Sequence, residues 1–301
     1  MQRNGTVLRR GLIAVFVCAA AVAFTQTSDL LERADALDKT EDHRGVIALL
    51  RPALNTVTNR AELAEINWRL ARATLGYADQ RKDAGADSRE LLAMYEEGEA
   101  FADAAIELNP QNPLGYYWKS SNVGRWGQTR GVLNSLARAP GMRDLLAQAL
   151  TMDPEHGDSY FVLGQLYAAV PRLISFGNND YAVSLSRKAV EINERMVRTG
   201  ERDEPSYGFY LKLADHLYQR NWNEARRSRE QESKRRNLPN ADTPLERGWY
   251  FEGTATIPAM SDRDEARVIL TDLIARLQGK SNRTPSQNRD LREARELLAK
   301  L

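Results

Sequence analysis

The side chains able to do acid–base, nucleophilic or metal chemistry are dispersed in this sequence of 301 residues. Its three histidines, His43, His156 and His216, lie far apart, and none sits in an H-E-x-x-H pattern. Asp153-Pro-Glu155-His156-Gly-Asp158 gathers ligand-type residues, but it reads better as an acidic turn with Asp158 at a helix start, where negative charge is favourable. Glu96 and Glu97 are consecutive on a helix, so they diverge by about 100° and cannot share a substrate. There is no G-x-S-x-G, no phosphate-cradling G-x-x-x-x-G-K and no dinucleotide glycine pattern. Gly177-Asn-Asn-Asp180 reads as a tight turn capping a helix that begins near Tyr181. No acid, base and nucleophile converge, so the expectation is a protein that is not an enzyme and needs no cofactor or metal.

Charge points the same way. Lys and Arg total 42 against 41 Asp and Glu, a net charge of +1, which does not suggest a general binder of nucleic acid or of anionic membranes. Arg226, Arg227, Arg229, Lys234, Arg235 and Arg236 form a basic cluster. Glu230–Lys234 and Glu232–Arg236 are i,i+4 pairs in the favourable order, so the cluster is expected to be a solvated helix face. Aromatics do not interleave it, which argues against nucleic acid as a partner.

The elements that must position these residues are helices. Apolar residues are 42% and charged residues 28% of the chain, near soluble globular averages. Leu30, Leu31, Ala34 and Leu37 recur at helical spacing, as do Val46, Leu49, Leu50 and Leu54. Thr243-Pro-Leu-Glu246, Asn112-Pro113, Ser261-x-x-Asp264 and Thr284-Pro285 are helix-start signals. Alternating β-branched runs and Asn-Gly turns are absent, so strands are not needed.

Internal repetition organises the helices. Ala105-Ile-Glu-Leu-Asn-Pro110 returns as Ala149-Leu-Thr-Met-Asp-Pro154 and, without the proline, as Ala189-Val-Glu-Ile-Asn193. Tyr160-x-x-Leu163-Gly164-x-x-Tyr167 has the spacing of the first helix of a tetratricopeptide repeat, a unit of about 34 residues. Gly164 and the alanines let paired helices approach, and Tyr160, Leu163 and Tyr167 fill one seam. One pair cannot bury its own apolar face, so pairs must stack. The spacing predicts an all-α tetratricopeptide-like helical-hairpin solenoid over residues 24–301, of about five pairs plus a capping helix near 286–300. Trp68–Ala73 pairs with the helix ending at Leu108. Extra residues fall around 126–140 and in 171–177. A fourth pair spans Tyr207–Tyr218 and Trp222–Asn237, and a fifth 244–257 and 262–278.

In that register Tyr116, Tyr160 and Tyr167 take seam positions, while Tyr117 and Phe161 face a concave groove with Arg69, Arg125 and Gln165. Trp118 and Trp126, eight apart on one stripe, either flank the groove or fill the seam, and the seam is the commoner place for tryptophan at helical spacing. An apolar groove with a few cations and amides suits a protein segment or an amphipathic acid.

The amino terminus has its own character. Arg3, Arg9 and Arg10 precede the 14-residue apolar run of residues 11–24, whose end offers the small residues Ala21-Val22-Ala23. This is the layout of a secretory signal peptide, assigned to residues 1–23. The run is shorter than the ~20 residues that span a bilayer, which disfavours an uncleaved anchor while leaving membrane association open. The single cysteine, Cys18, lies inside it, so the mature chain forms no disulfide. The expected location is the periplasm or another exported compartment.

Two family resemblances follow from quoted stretches. Asn67-Trp-Arg-Leu-Ala-Arg-Ala73, and the stretch from Gly127-Gln-Thr-Arg-Gly131 through Met142-Arg-Asp-Leu-Leu146 to Pro154, resemble the regulator-of-microtubule-dynamics family. Gly164-Gln-Leu-Tyr-Ala-Ala-Val-Pro171, then Phe176-Gly177-Asn178 and Ala182, is similar to the T component of TRAP transporters. With the signal layout, the second resemblance implies an exported accessory protein beside a periplasmic solute-binding protein, with a ligand-accessible hollow and a capacity to oligomerise. The chain departs from that family in lacking its lipid-attachment cysteine and in carrying Phe176 where the turn has glycine. The alternatives are a general envelope scaffold and a carrier of a small apolar carboxylate.

Overall fold

The computed structural model describes residues 27–173 and 175–301. The residues of the signal-peptide reading, Cys18 among them, lie outside these. Every regular element among the described residues is helical, as the periodicity predicts. The chain forms two compact units, the first ending at Pro110 and the second spanning Gln111–Leu301.

In the first unit, α1 (residues 27–39) and α2 (His43–Leu50) lead through a 3-10 turn to α3 (Arg60–Asp83) and α4 (Ser88–Leu108). Side-chain caps start the helices: Asp42, Asn59 and Asp87 each accept a backbone N–H from the first turn they precede. Ala34, Val46, Leu50, Ile66, Leu70 and Ala73 form one apolar cluster, and α3 lies along α4.

The second unit begins with α5 (Pro113–Arg130) and α6 (Val132–Met152), followed by α7 (Gly157–Ala169) and α8 (Asn179–Thr199). Each is a packed hairpin. The residues expected to form an insertion around 126–140 are extra helical turns. Gly131, at φ 112°, is the single-residue joint between α5 and α6, a conformation that favours glycine. The 171–177 excess is a loop, closed by Asn178 capping α8.

Beyond α8 the pairing departs from the simple alternation. α9 (Tyr207–Arg220) packs on α12 (Asp262–Gln278), and α13 (Pro285–Leu298) closes against both. α10 (Glu224–Asn237) does not pair with α9; it packs on a 3-10 turn, Phe251–Gly253, after the short helix α11 (Pro244–Trp249). The physical reason is composition. The sequence of α10, EARRSREQESKRRN, has no large apolar residue to bury, whereas α12 offers Ala266, Leu270, Leu273 and Leu277 to the cluster of Leu211, Leu213, Ala214 and Leu217. Among the described residues the packed hairpins are therefore α3–α4, α5–α6, α7–α8 and α9–α12, one fewer than the five expected: the predicted pairs of 207–218 with 222–237 and of 244–257 with 262–278 give way to α9–α12, with α13 as the cap.

Candidate functional site

Helices α5, α7 and α9, the first members of successive hairpins, lie side by side in the second unit. α7 has the expected register: Tyr160, Leu163 and Tyr167 are buried, while Phe161 and Gln165 are half-buried. Gly164 fits where a Cβ would come within 2.5 Å of Ser186 Oγ and 3.2 Å of the Ala182 carbonyl. Phe161 lies flat on Phe209 of α9, with ring centroids 4.4 Å apart and planes at 12°.

On α5 the register is turned by one position. Tyr117 is 8% exposed and belongs to the core, while Tyr116 is half-buried, which corrects the groove assignment of Tyr117. The cause is a stripe of small residues. Ser120, Gly124 and Gly127 follow Tyr117 at three, seven and ten positions and face α6, where a Cβ on Gly127 would lie 3.1 Å from Ser135 Cα. Close approach there carries Tyr117 inward, edge-on to Trp118 at 4.7 Å and to His156 at 5.0 Å. Burial pushes the Tyr117 phenol far above its ordinary value. Trp118 is half-buried on the same apolar cluster, and its indole Nε1 has no hydrogen-bond partner. Arg125 Nη1 donates to Gln128 at 3.2 Å, Gln165 Nε2 reaches the Phe161 carbonyl only at 3.5 Å, and Trp126 lies under the Arg138 guanidinium at 3.9 Å.

Arg69 belongs to the first unit, where its fork is engaged. Nε and Nη2 donate to Asp35 at 3.0 and 2.8 Å, Nη1 to Glu65 at 2.7 Å, and the guanidinium sits 4.1 Å over Trp68. Burial would raise the Asp35 carboxyl, but bonds from Arg69 and Arg72 hold it below its ordinary value. Arg69 is thus a positioning residue for α1 and α3 rather than a groove cation.

The sequence reading missed a second feature. The basic cluster of α10 is not wholly solvated. Arg227 and Lys234 are 5% and 4% exposed and join Arg187 and Arg220 among four buried or largely buried acids, Asp180, Glu252, Asp262 and Glu265. Arg220 holds Asp262 with two bonds, 2.9 and 2.8 Å, and reaches Glu252 at 2.7 Å. Lys234 lies 2.6 Å from both Asp180 and Glu252. Arg187 grips Glu265 at 2.7 and 2.9 Å, and Arg227 pairs with the same carboxylate. Ser184 accepts the Glu252 N–H at 3.1 Å, and Gln231 and Arg235 donate to carbonyls of the adjoining turn. Burial alone would raise the Glu252 carboxyl, but Lys234, Arg220 and Arg187 outweigh it and hold it well below its ordinary value. Glu265 is lowered for the same reason. Acids held so low have no proton to exchange near neutrality, so this lattice locks α10 and the 251–253 turn to α8, α9 and α12. The signal in the sequence was the lone Glu252, whose partners lie 18 to 65 residues away.

Ser186 and His216 are 2.7 Å apart beside the lattice. Burial pushes His216 down to about 4. With exposures of 1% and 2% the pair is closed to substrate, so it bonds α8 to α9. In the 153–158 turn, Glu155 pairs with Lys188 and Arg195, and Asp158 with Arg202.

What these features define is an all-α protein of packed helical hairpins, with an aromatic strip along one row of first helices. Residues 30–179 match the family model for regulator of microtubule dynamics protein 1-3, in agreement with the first of the two resemblances. No curated protein matches the chain. The matched stretch ends one residue before Asp180, so the whole ionic lattice lies beyond it.

Proposed function

We propose that this protein is a scaffold that recognises a partner polypeptide on the α5–α7–α9 face of its second unit. The observation that carries this reading is Phe161, half-buried and held flat on Phe209 at 4.4 Å. A ring immobilised before binding loses little entropy on contact. Trp118 is half-buried on the same apolar cluster and adds its ring to that face. The match to the regulator-of-microtubule-dynamics model supports a helical protein that works by binding.

The finer reading is an exported accessory beside a solute-binding protein. It draws on the amino-terminal layout and on the Gly164–Pro171 and Phe176–Asn178 motifs. Gly164 and Asn178 already serve the α7–α8 hairpin, by close packing and by capping, so the partner decides this reading and the motif does not. A photo-crosslinking amino acid placed at Phe161, with another at the exposed Val268 as control, tests the proposal in cells. A discrete protein adduct from position 161 alone is expected, and a solute-binding protein in that adduct selects the finer reading. Equal adducts from both positions, or none from 161, overturn the surface. Native mass spectrometry separates the remaining reading, since a carrier would retain a small apolar acid.

A further inference from the structure

The near-zero net charge conceals a local segregation. Residues 108–143 contain Lys119, Arg125, Arg130, Arg138 and Arg143 and no Asp or Glu. Residues 159–179 contain Arg172 and again no acid. The fold brings the α5–α6 joint and the end of α7, which lie within these stretches, to one end of the hairpins. Val123, Ala139, Met142, Leu166 and Val170 form an apolar cluster there, with Leu136 and Phe176 packed on it. Arg143 lies 4.9 Å over the Phe176 ring and is paired with the neighbouring Asp144 at 2.8 Å, so the positive charge of this end rests on Arg130 and Arg172. Val132 stands one helical turn before Leu136, and Leu173 three residues beyond Val170.

That end also exposes its apolar side chains. Val132 is 75%, Leu133 82% and Leu173 98% exposed, and among the described residues Val268 is the only other large apolar side chain so open. Scattered single apolar residues on a surface need no explanation; three at one basic end do. Arg130 and Arg172 are exposed beside them, and Trp126 lies one turn before Arg130.

We propose that this end docks peripherally on an anionic lipid surface. Val132, Leu133 and Leu173 enter the boundary between headgroups and acyl chains, while Arg130 and Arg172 meet lipid phosphates. Charge selects this occupant. A second copy of the same end would set arginines against arginines. The apolar side chains stand out from the joint and loop that close the hairpins, a shape that suits a fluid layer more than a protein pocket. The balanced total charge is no obstacle, since acids more than ~8 Å away are screened at physiological salt. No described helix is long and apolar enough to cross a membrane, so docking at this end is from one side.

The test is co-sedimentation of the full chain with vesicles of phosphatidylcholine alone and with 30% phosphatidylglycerol, at about 0.1 M and about 0.5 M salt. Binding is expected only with the anionic lipid, and weaker at high salt. R130Q with R172Q, and separately L133S with L173S, should each weaken partitioning roughly tenfold or more. All four positions are exposed, so the helical circular dichroism should not change. Variants that sediment like the unaltered protein overturn the proposal, because binding would then reside in another segment such as residues 1–26. Vesicle-independent self-association abolished by L133S with L173S also overturns it, in favour of a second copy. Neither outcome touches the Phe161 surface.

Discussion

The α7–α8 and α9–α12 hairpins close in different ways. In α7–α8 the partners are joined by the short loop of residues 170–178, and the seam is apolar and tight: Gly164 against Ala182 and Ser186, with Tyr160, Leu163, Leu185 and Ala189 around it. In α9–α12 the partners are separated by residues 221–261, which carry α10, α11 and the 251–253 turn. The leucine seam of α9–α12 is equally apolar, but α10 has almost nothing apolar to contribute. It is held by charge instead, through Arg227 and Lys234. Short connections can thus be closed by shape alone, while a long polar insertion needs bonds of its own. A buried ion lattice is weak evidence of net stability, because desolvation offsets the attraction, but it restricts which arrangement can form.

The sharpest break in that contrast is Arg220→Met. It strips Asp262 of its two-bond partner and Glu252 of one of its three cations, and should cost about 3–5 kcal/mol in urea unfolding. A loss below about 1 kcal/mol would mean that the lattice is hydrated and that apolar packing governs both hairpins alike. On the other side, Gly164→Ala should cost about 1–3 kcal/mol, because the new methyl drives Ser186 Oγ from His216. Melting of Gly164→Ala that matches the unaltered protein would show that the α7–α8 seam has slack.

Acid should separate the contributions in turn. His216 titrates near 4 folded against 6.5 unfolded, so the unfolded chain binds the extra proton first, and stability falls as pH drops from about 6.5 toward 4. Glu252 and Glu265 are depressed, so their stabilisation is complete above the unfolded value near 4.5 and disappears as pH falls through their folded values. The denaturation midpoint should therefore decline in two stages, and His216→Gln should remove the upper one. A single decline below about pH 4.5 in the unaltered protein would contradict the buried neutral imidazole. The smallest effect is expected at Glu232→Gln, which breaks an exposed pair with Arg235 and should shift stability by less than about 0.5 kcal/mol.

Much of the helical framework was legible because local rules are strong. Thr243 with Glu246 and Thr284 with Gln287 form reciprocal caps, and the seam of α7 follows its three-and-four spacing. The α5 register was not legible from its aromatics, because glycine and serine decided which face could approach α6. Arg125, Trp126 and Gln165 are half-buried on α5 and α7. Nor was the fate of the α10 cations legible: an i,i+4 pairing of Lys234 with Glu230 was the local reading, and Asp180 and Glu252 claim that ammonium instead.

By itself, the order of residues settled the all-helical class, the starts of the helices capped by Asn112, Thr243, Ser261 and Thr284, and the α7–α8 hairpin, since propensity, caps and apolar period act over a few residues. Tertiary structure alone decided that α9 skips its neighbour for α12, which charges are hidden, and that Val132, Leu133 and Leu173 share one basic end. Those outcomes depend on which surfaces far apart along the chain can meet and exclude water, and no local window contains both sides of such a contact.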